Sequence, residues 1–146
     1  MKKSIITLAL FCILSLSASA QKTGWNFIAG LNSGFPKPYN LSFSADYTGD
    51  GKFYVGAGVE TIWFFNVLVR PFADVRYAFK PAGASPFVEA NAGFVFTSGT
   101  DVNATLGYRL PTKKSDSRHA WWVGAGVGYW SGCDGIYYPV KIEFSF

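Results

Sequence analysis

"WWVGAGVGYW", Trp121–Trp130, suggests either a glycine-rich phosphate loop or a β-strand. The glycine spacing matches neither phosphate-binding fingerprint, and no helix start or Lys-Ser/Thr pair follows. Side chains in a strand alternate between two faces, so Trp121, Val123, Ala125, Val127 and Tyr129 would share one face. The three glycines would lie on the other face, leaving room for bulky or charged neighbours. The stretch therefore predicts a largely apolar β-strand and not a nucleotide site.

The same period of two recurs along the chain between turn-forming residues. It predicts eight strands of a length that suits a tilted strand crossing a bilayer. Their predicted bounds are Gly24–Asn32, Tyr39–Tyr47, Phe53–Glu60, Val67–Tyr77, Pro86–Phe96, Val102–Leu110, Trp121–Trp130 and Tyr137–Phe146.

Residues 1–20 have the composition of a secretory signal peptide. Lys2 and Lys3 precede a short apolar segment, and "ASA" ends at Ala20 as a small-residue cleavage site. The alternatives are a retained membrane anchor and lipidation at Cys12, which the bulky Phe11 disfavours. We expect cleavage after Ala20 and one domain over residues 21–146.

The mature chain is close to neutral in charge. Without Lys2 and Lys3, 11 of the 13 basic residues remain against 9 acidic ones, so the charge does not indicate a nucleic-acid partner. Cys133 is the one cysteine after residue 20, so we expect neither a disulfide framework nor a thiolate metal site. No apolar run after residue 20 is long enough for a spanning helix.

The two faces of the predicted strands differ sharply in charge. One face carries only apolar side chains, with aromatic residues near the strand ends and small or aliphatic residues between them. The opposite face holds five acidic and four basic residues, which we expect to pair with one another. These are Asp46, Glu60, Arg70, Asp74, Arg76, Glu89, Arg109, Lys141 and Glu143.

An open sheet with such faces would have unprotected edges, so the sheet is expected to close. Aromatic residues at both ends of an apolar face are typical of a barrel in a bilayer. We therefore predict an all-β fold, an eight-stranded antiparallel up-and-down transmembrane β-barrel with its charges in the lumen. The alternative is a soluble barrel with the apolar face inside.

The last predicted strand ends in "YPVKIEFSF", with alternating apolar residues at Tyr138, Val140, Ile142, Phe144 and Phe146. With the strand pattern, this ending resembles the small outer-membrane barrels of the OmpX-like group and the barrel domain of outer-membrane protein A. The resemblance implies an outer-membrane location and recognition of this ending by the barrel-assembly machinery. The loops here are shorter than those that carry adhesive or receptor roles in that group.

The functional expectation is a structural or envelope-stabilising protein of the lipid bilayer, a monomer without enzymatic activity, metal or cofactor. The second hypothesis is a lipocalin-like soluble barrel that binds a small apolar ligand. The third is a lipid-modifying enzyme using His119, although "HAW" lacks the His-x-Ser pattern of outer-membrane deacylases. "DYTGDG" fails as a calcium loop because its twelfth position is Ala57. The sequence leaves open the roles of His119 and Cys133 and whether the lumen conducts ions.

Overall fold

The structure, a computed structural model, describes residues 24–34, 37–63, 67–96, 98–112, 119–132 and 135–146. The predicted signal peptide and Cys133 lie outside the described residues, as do Phe64 and Phe65. Within the described part, no helix is long and apolar enough to span a membrane.

The described residues form the β-strands of one antiparallel sheet. The strands are β1 (Trp25–Gly34), β2 (Lys37–Thr48), β3 (Phe53–Trp63), β4 (Val67–Ala78), β5 (Ser85–Val95), β6 (Gly99–Pro111), β7 (Ala120–Trp130), β8 (Gly135–Tyr137) and β9 (Val140–Ser145). Consecutive strands pair antiparallel from β1 to β7, β7 pairs with both β8 and β9, and β9 pairs with β1. The sheet is thus a closed barrel without a free lateral edge along most of its wall, and the predicted fold class is confirmed.

The eighth strand of the barrel is divided into β8 and β9 by Tyr138 and Pro139. Proline has no N–H group, so it cannot donate to a neighbouring strand. Its carbonyl still accepts a hydrogen bond of 2.9 Å from the Gly126 amide, which keeps both halves in one register on β7. The prediction of a continuous strand over Tyr137–Phe146 is corrected here.

Two predicted connections are also corrected, because backbone pairing extends into them. β3 continues to Trp63, which pairs with Val67, so Thr61–Trp63 belong to the wall and not to a loop. β6 begins at Gly99, which pairs with Val95, so Asp101 lies within a strand. In both hairpins the backbone pairing extends further toward the turn than the turn-forming residues in the sequence predicted.

The alternation of side chains places apolar residues outside and charged residues inside. Val67, Leu106 and Phe96 are each more than 60% exposed, whereas no charged lumen residue exceeds 5%. This is the reverse of a water-soluble protein, in which large exposed apolar surfaces are uncommon.

The barrel has two different ends. End A carries the β2–β3, β4–β5 and β6–β7 turns, together with the start of β1 and Phe146. End B carries the other connections. Exposed aromatic side chains lie near both ends, with alanine and valine between them. Trp25, Tyr47, Phe53 and Trp121 lie near end A, and Tyr39, Trp63, Phe96 and Tyr138 lie near end B.

Candidate functional site

The candidate site is the charged lumen. All nine residues of the predicted network are buried there: Asp46, Glu60, Arg70, Asp74, Arg76, Glu89, Arg109, Lys141 and Glu143. Asp101 is a tenth buried charged residue, one position before the predicted start of its strand at Val102. It alternates with Asn103 and Arg109 on one face of β6, so extending the period of two by one position would have found it.

Arg76 is at the centre of the mid-lumen charges. Its Nη2 atom lies 3.0 Å from Glu143 Oε2, 3.2 Å from Glu89 Oε2 and 3.6 Å from Asp74 Oδ2. Lys141 forms a further ion pair with Glu89. Because these residues come from β4, β5 and β9, the ion pairs connect distant parts of the wall across the lumen. Burying such ions is tolerated only where partners of opposite charge are present.

Asp46 and Asp74 approach each other across β3. Gly56 is paired with Asp46 of β2 on one side and with Asp74 of β4 on the other. A Cβ atom at Gly56 would lie 2.2 Å from Asp46 Oδ1 and 3.0 Å from Asp74 Oδ1. Because Gly56 has no side chain, the carboxyl groups of Asp46 and Asp74 can both lie over it on the lumen side of the wall. The Ser44 hydroxyl also donates a 2.8 Å hydrogen bond to Asp46.

Arg70 organises a second group of charges toward end B. Its Nη1 atom lies 2.9 Å from Glu60 Oε2, and its Nη2 atom lies 3.1 Å from Asp101 Oδ1. The guanidinium also donates to the side chain of Asn91. Tyr137 donates a 2.8 Å hydrogen bond to Asp101. Asp101 therefore supplies the second carboxylate partner of this arginine, beside Glu60.

Arg109 is brought into the lumen but not into the ion-pair network. Its guanidinium donates to backbone carbonyls of two turns at end A, at 2.7 Å to Lys80 and 3.3 Å to both Gly51 and Gly83. It also donates a 3.0 Å hydrogen bond to the Tyr54 hydroxyl. These partners are neutral, so Arg109 acts as a latch that ties the β2–β3 turn to the β4–β5 turn. The sequence predicted that it would pair with lumen acids.

Apolar side chains lie at both ends of the lumen. Near end A, Trp122 packs edge-on against Tyr54 and Phe87, with ring centroids 5.5 and 5.0 Å apart. Near end B, a second cluster consists of Ile62, Val95, Trp130 and Tyr137. The described ion pairs therefore lie between two apolar clusters, and low polarity at both ends strengthens their attraction.

A small cavity remains beside the Arg70 group. Its volume is about 20 Å³, and its lining includes Asn32, Asn40, Ser42, Glu60 and Glu143. Ser33, Gly34 and Pro139 also line it and lie toward end B. A cavity of this size has room for one species the size of water.

Comparisons with known proteins bear on the fold. No protein-family model and no curated protein sequence matches the chain. The crystal structure of the N-terminal β-barrel domain of Pseudomonas aeruginosa OprF matches with a TM-score of 0.62 at 14% identity, over 85% of this chain and 98% of that one. A de novo designed transmembrane β-barrel gives 0.56 at 15% identity, over 86% and 98%. The solution NMR structure of the de novo designed TMB2.3 gives 0.56 at 14% identity, over 86% and 96%.

The fold is that of a small outer-membrane-type β-barrel. The candidate assembly residues of this outer-membrane-type barrel are all at least partly exposed. Three are exposed (Tyr138, Val140 and Ile142), and two are half-buried (Phe144 and Phe146). The terminal Phe146 pairs with Phe27 through two backbone hydrogen bonds of 2.9 and 3.1 Å. The ending is therefore built into the β9–β1 closure of the barrel.

His119 lies at end A, next to β7. Its carbonyl accepts hydrogen bonds from the Thr112 amide at 2.8 Å and from the Thr112 hydroxyl at 3.0 Å. His119 is an exposed residue. Among the described residues, no group of three or more His, Cys, Asp or Glu side chains is arranged to hold a metal ion.

Proposed function

We propose that the mature chain is an outer-membrane β-barrel with a closed lumen, a structural, envelope-stabilising role and no catalytic activity. The observation that carries this proposal is the inverted polarity of the wall. The exterior exposes large apolar side chains such as Leu106, Val67 and Ile136, while ten charged residues are buried inside. Transfer of apolar surface out of water is favourable by roughly 25 cal/mol per Å², so a bilayer would stabilise this surface.

The two aromatic belts support a membrane position. Tryptophan and tyrosine concentrate at the interfaces of a bilayer, where a ring can contact both lipid and water. Trp25 and Tyr47 pack edge-on at end A with centroids 5.5 Å apart, and Tyr39 and Trp63 are exposed near end B. An N-terminus in the periplasm would place end A on the periplasmic side.

The filled lumen supports a structural role over conduction or ligand storage. Ion pairs and two apolar clusters occupy the described interior, and the cavity beside Arg70 measures about 20 Å³. Pockets for drug-sized ligands usually measure roughly 300–1,000 Å³. A lipocalin-like binder would also be expected to present apolar side chains inward.

The proposed partners are the lipid bilayer and the barrel-assembly machinery, which would recognise the ending at Tyr138, Val140, Ile142, Phe144 and Phe146. Because β9 closes onto β1 within one chain, the barrel is complete as a monomer. We therefore propose a monomeric membrane protein.

Fractionation of cells that express the full chain tests the location. The protein is expected in the outer-membrane fraction, and its mobility on a gel should shift when the sample is boiled. A mature protein that stays soluble without detergent would contradict the proposal. For the absence of catalysis, His119→Ala should leave the lipid A composition of the host unchanged; a change that depends on His119 would favour the enzyme hypothesis.

A further inference from the structure

The described lumen contains more carboxyl groups than cationic groups. Six acidic residues are buried, against four basic ones. The latch residue Arg109 donates to neutral carbonyls and to Tyr54, so three cationic side chains remain for six carboxyl groups. The acids are Asp46, Glu60, Asp74, Glu89, Asp101 and Glu143, and the three cations are Arg70, Arg76 and Lys141. Unbalanced negative charge in an interior of low polarity is unfavourable.

A second, independent observation comes from the cavity of about 20 Å³. Asn32 and Asn40 both line it, are only 6% and 4% exposed, and each has an Oδ1 atom without a hydrogen-bond donor. A buried acceptor left unsatisfied costs about 1–3 kcal/mol, so the structure favours a species that supplies positive charge or donors there.

The orientation of the Asn32 amide is fixed by its neighbours. Its Nδ2 atom donates to Glu60 Oε1 at 3.0 Å and to Ser42 Oγ at 3.2 Å. A carboxylate can only accept, so the nitrogen must face Glu60 and the oxygen must face away from it. The unsatisfied Oδ1 atom is therefore a consequence of the network and not of an arbitrary amide assignment.

Gly30 extends the set of oxygens around the cavity. A Cβ atom at Gly30 would lie 2.5 Å from Glu143 Cγ and 2.8 Å from Ser42 Oγ. Because the glycine has no side chain, the carboxylate of Glu143 and the hydroxyl of Ser42 can both approach from neighbouring strands. The cavity therefore combines amide, hydroxyl and carboxylate oxygens.

We propose that this cavity binds one monovalent alkali cation, Na⁺ or K⁺, that enters from end B. Oxygen donors of this kind suit hard cations, and the volume accommodates one such ion. Within the cavity lining, Glu60 and Glu143 are balanced by Arg70 and Lys141, so the two unsatisfied amide oxygens and not a local excess of charge mark the ion's position. The two cationic side chains disfavour a divalent ion. End B is the route because the rim residues Ser33, Gly34 and Pro139 lie there, and Ile62, Val95 and Trp130 of the end-B apolar cluster do not line the cavity. Arg109 and the Trp122 cluster close end A. The inference goes beyond the proposed function and concerns only the lumen, so it does not depend on the membrane location.

Thermal unfolding of the full mature barrel in detergent tests the proposal. The midpoint is compared in NaCl, KCl and N-methyl-D-glucamine chloride at equal ionic strength, since the organic cation is too large for the cavity. We expect the midpoint in Na⁺ or K⁺ to be several degrees higher and to rise with the logarithm of the cation concentration.

Asn40→Leu removes one cation-facing oxygen while keeping a similar side-chain size, and it should abolish the difference between the cations. Asn26→Leu is the matched control, because Asn26 is buried on β1 but does not line the cavity. The control should lower all midpoints and keep the difference.

The second measurement is the line width of the ²³Na resonance in the presence of the unaltered protein. We expect the protein to broaden this resonance, and K⁺ but not the organic cation to reverse the broadening. This measurement tests cation binding even if Asn40→Leu does not fold. Equal midpoints in all three salts without ²³Na broadening would overturn the proposal, leaving protons to neutralise the carboxylates and a water molecule to donate to the amide oxygens. Failure of the membrane proposal would appear separately, as a mature protein soluble without detergent.

Discussion

Trp122 contacts two arginines that the fold stabilises in different ways. The centre of the Arg76 guanidinium lies 4.8 Å from the ring centroid, and that of Arg109 lies 5.4 Å away. Arg76 is neutralised by carboxylates from three strands, whereas Arg109 donates to uncharged carbonyls of two turns. Burial of the same residue type beside the same ring therefore serves charge balance in one place and chain closure in another.

Removal of Arg76 should give the largest effect. Arg76→Met leaves Glu89 and Glu143 buried with one cation fewer, and breaking a buried pair in this way costs about 3–5 kcal/mol. We expect the free energy of unfolding of the detergent-folded barrel to fall by that amount in urea titrations. Lys52→Met, at the β2–β3 turn, is the control and should change it little. Equal losses in the two variants would mean that the mid-lumen ion pairs do not stabilise the barrel.

Removal of Arg109 should have a smaller and more local effect. Arg109→Met loses hydrogen bonds from a charged donor, for which about 2–3 kcal/mol is expected. No carboxylate loses its partner, but the β2–β3 and β4–β5 turns lose their common donor. Amide hydrogen exchange at residues of these turns should therefore accelerate more than exchange in the middle of the barrel.

Arg109→Lys sharpens this test, because lysine keeps the charge but lacks the planar fork that reaches several carbonyls at once. We expect it to restore only part of the stability lost in Arg109→Met. Complete restoration would show that the charge matters and that the bridging geometry does not.

A third prediction concerns the wall of β7 beyond Trp122. A Cβ atom at Gly126 would lie 2.0 Å from the carbonyl oxygen of Ala104 and 2.8 Å from the Thr105 Cα, both backbone atoms. Gly126→Ala should therefore destabilise the barrel by about 1–2 kcal/mol through overpacking, measured by urea unfolding. Gly49→Ala, where no atom lies within 4 Å, is the control. If both variants lose the same free energy of unfolding, the close contact between Gly126 and the backbone of β6 does not limit the residue at this position.

The sequence predicted the strands and their faces because a period of two is a local property. It placed Arg76, Glu89 and Lys141 in the lumen for the same reason. It could not predict that Gly56 brings Asp46 and Asp74 together, since that depends on the register of three strands. The turn-forming residues before Val102 predicted a loop at Asp101, although the alternation of buried and exposed residues in β6 continues through it.

The partners of Arg109 were beyond sequence reasoning for a different reason. Charge pairing predicted acidic partners, but Arg109 lies near end A, where its fork meets backbone carbonyls of turns distant in sequence. Carbonyls are present at every residue, so composition carries no information about which of them a side chain will reach. The cavity at Asn32 and Asn40 was missed because it depends on packing around Gly30.

The smallest effect is expected at Asp50, in the turn that presents the Gly51 carbonyl to Arg109. Asp50 Oδ1 accepts hydrogen bonds from the Phe53 amide at 2.9 Å and the Lys52 amide at 2.8 Å. These amide groups, that of Phe53 first, hold the pKa of the Asp50 carboxyl below its ordinary value of 3.8. A carboxyl whose pKa is lowered by folding stabilises the fold above its ordinary pKa, and this contribution is lost as the pH falls through the folded value.

Asp50→Ala should therefore lower the thermal midpoint slightly at neutral pH, and the difference from the unaltered protein should shrink as the pH falls below the ordinary pKa of 3.8 and through the lower pKa of the folded state. Protonation of the lumen carboxylates affects both proteins alike and cancels in the difference. Asp50→Asn, which keeps an acceptor oxygen without the charge, should show an intermediate loss at neutral pH. In an Arg109→Met background the cost of Asp50→Ala should fall, because the turn no longer has to hold the Gly51 carbonyl in place for the guanidinium. A pH-independent difference, unchanged by the loss of Arg109, would mean that the turn and the latch fold independently.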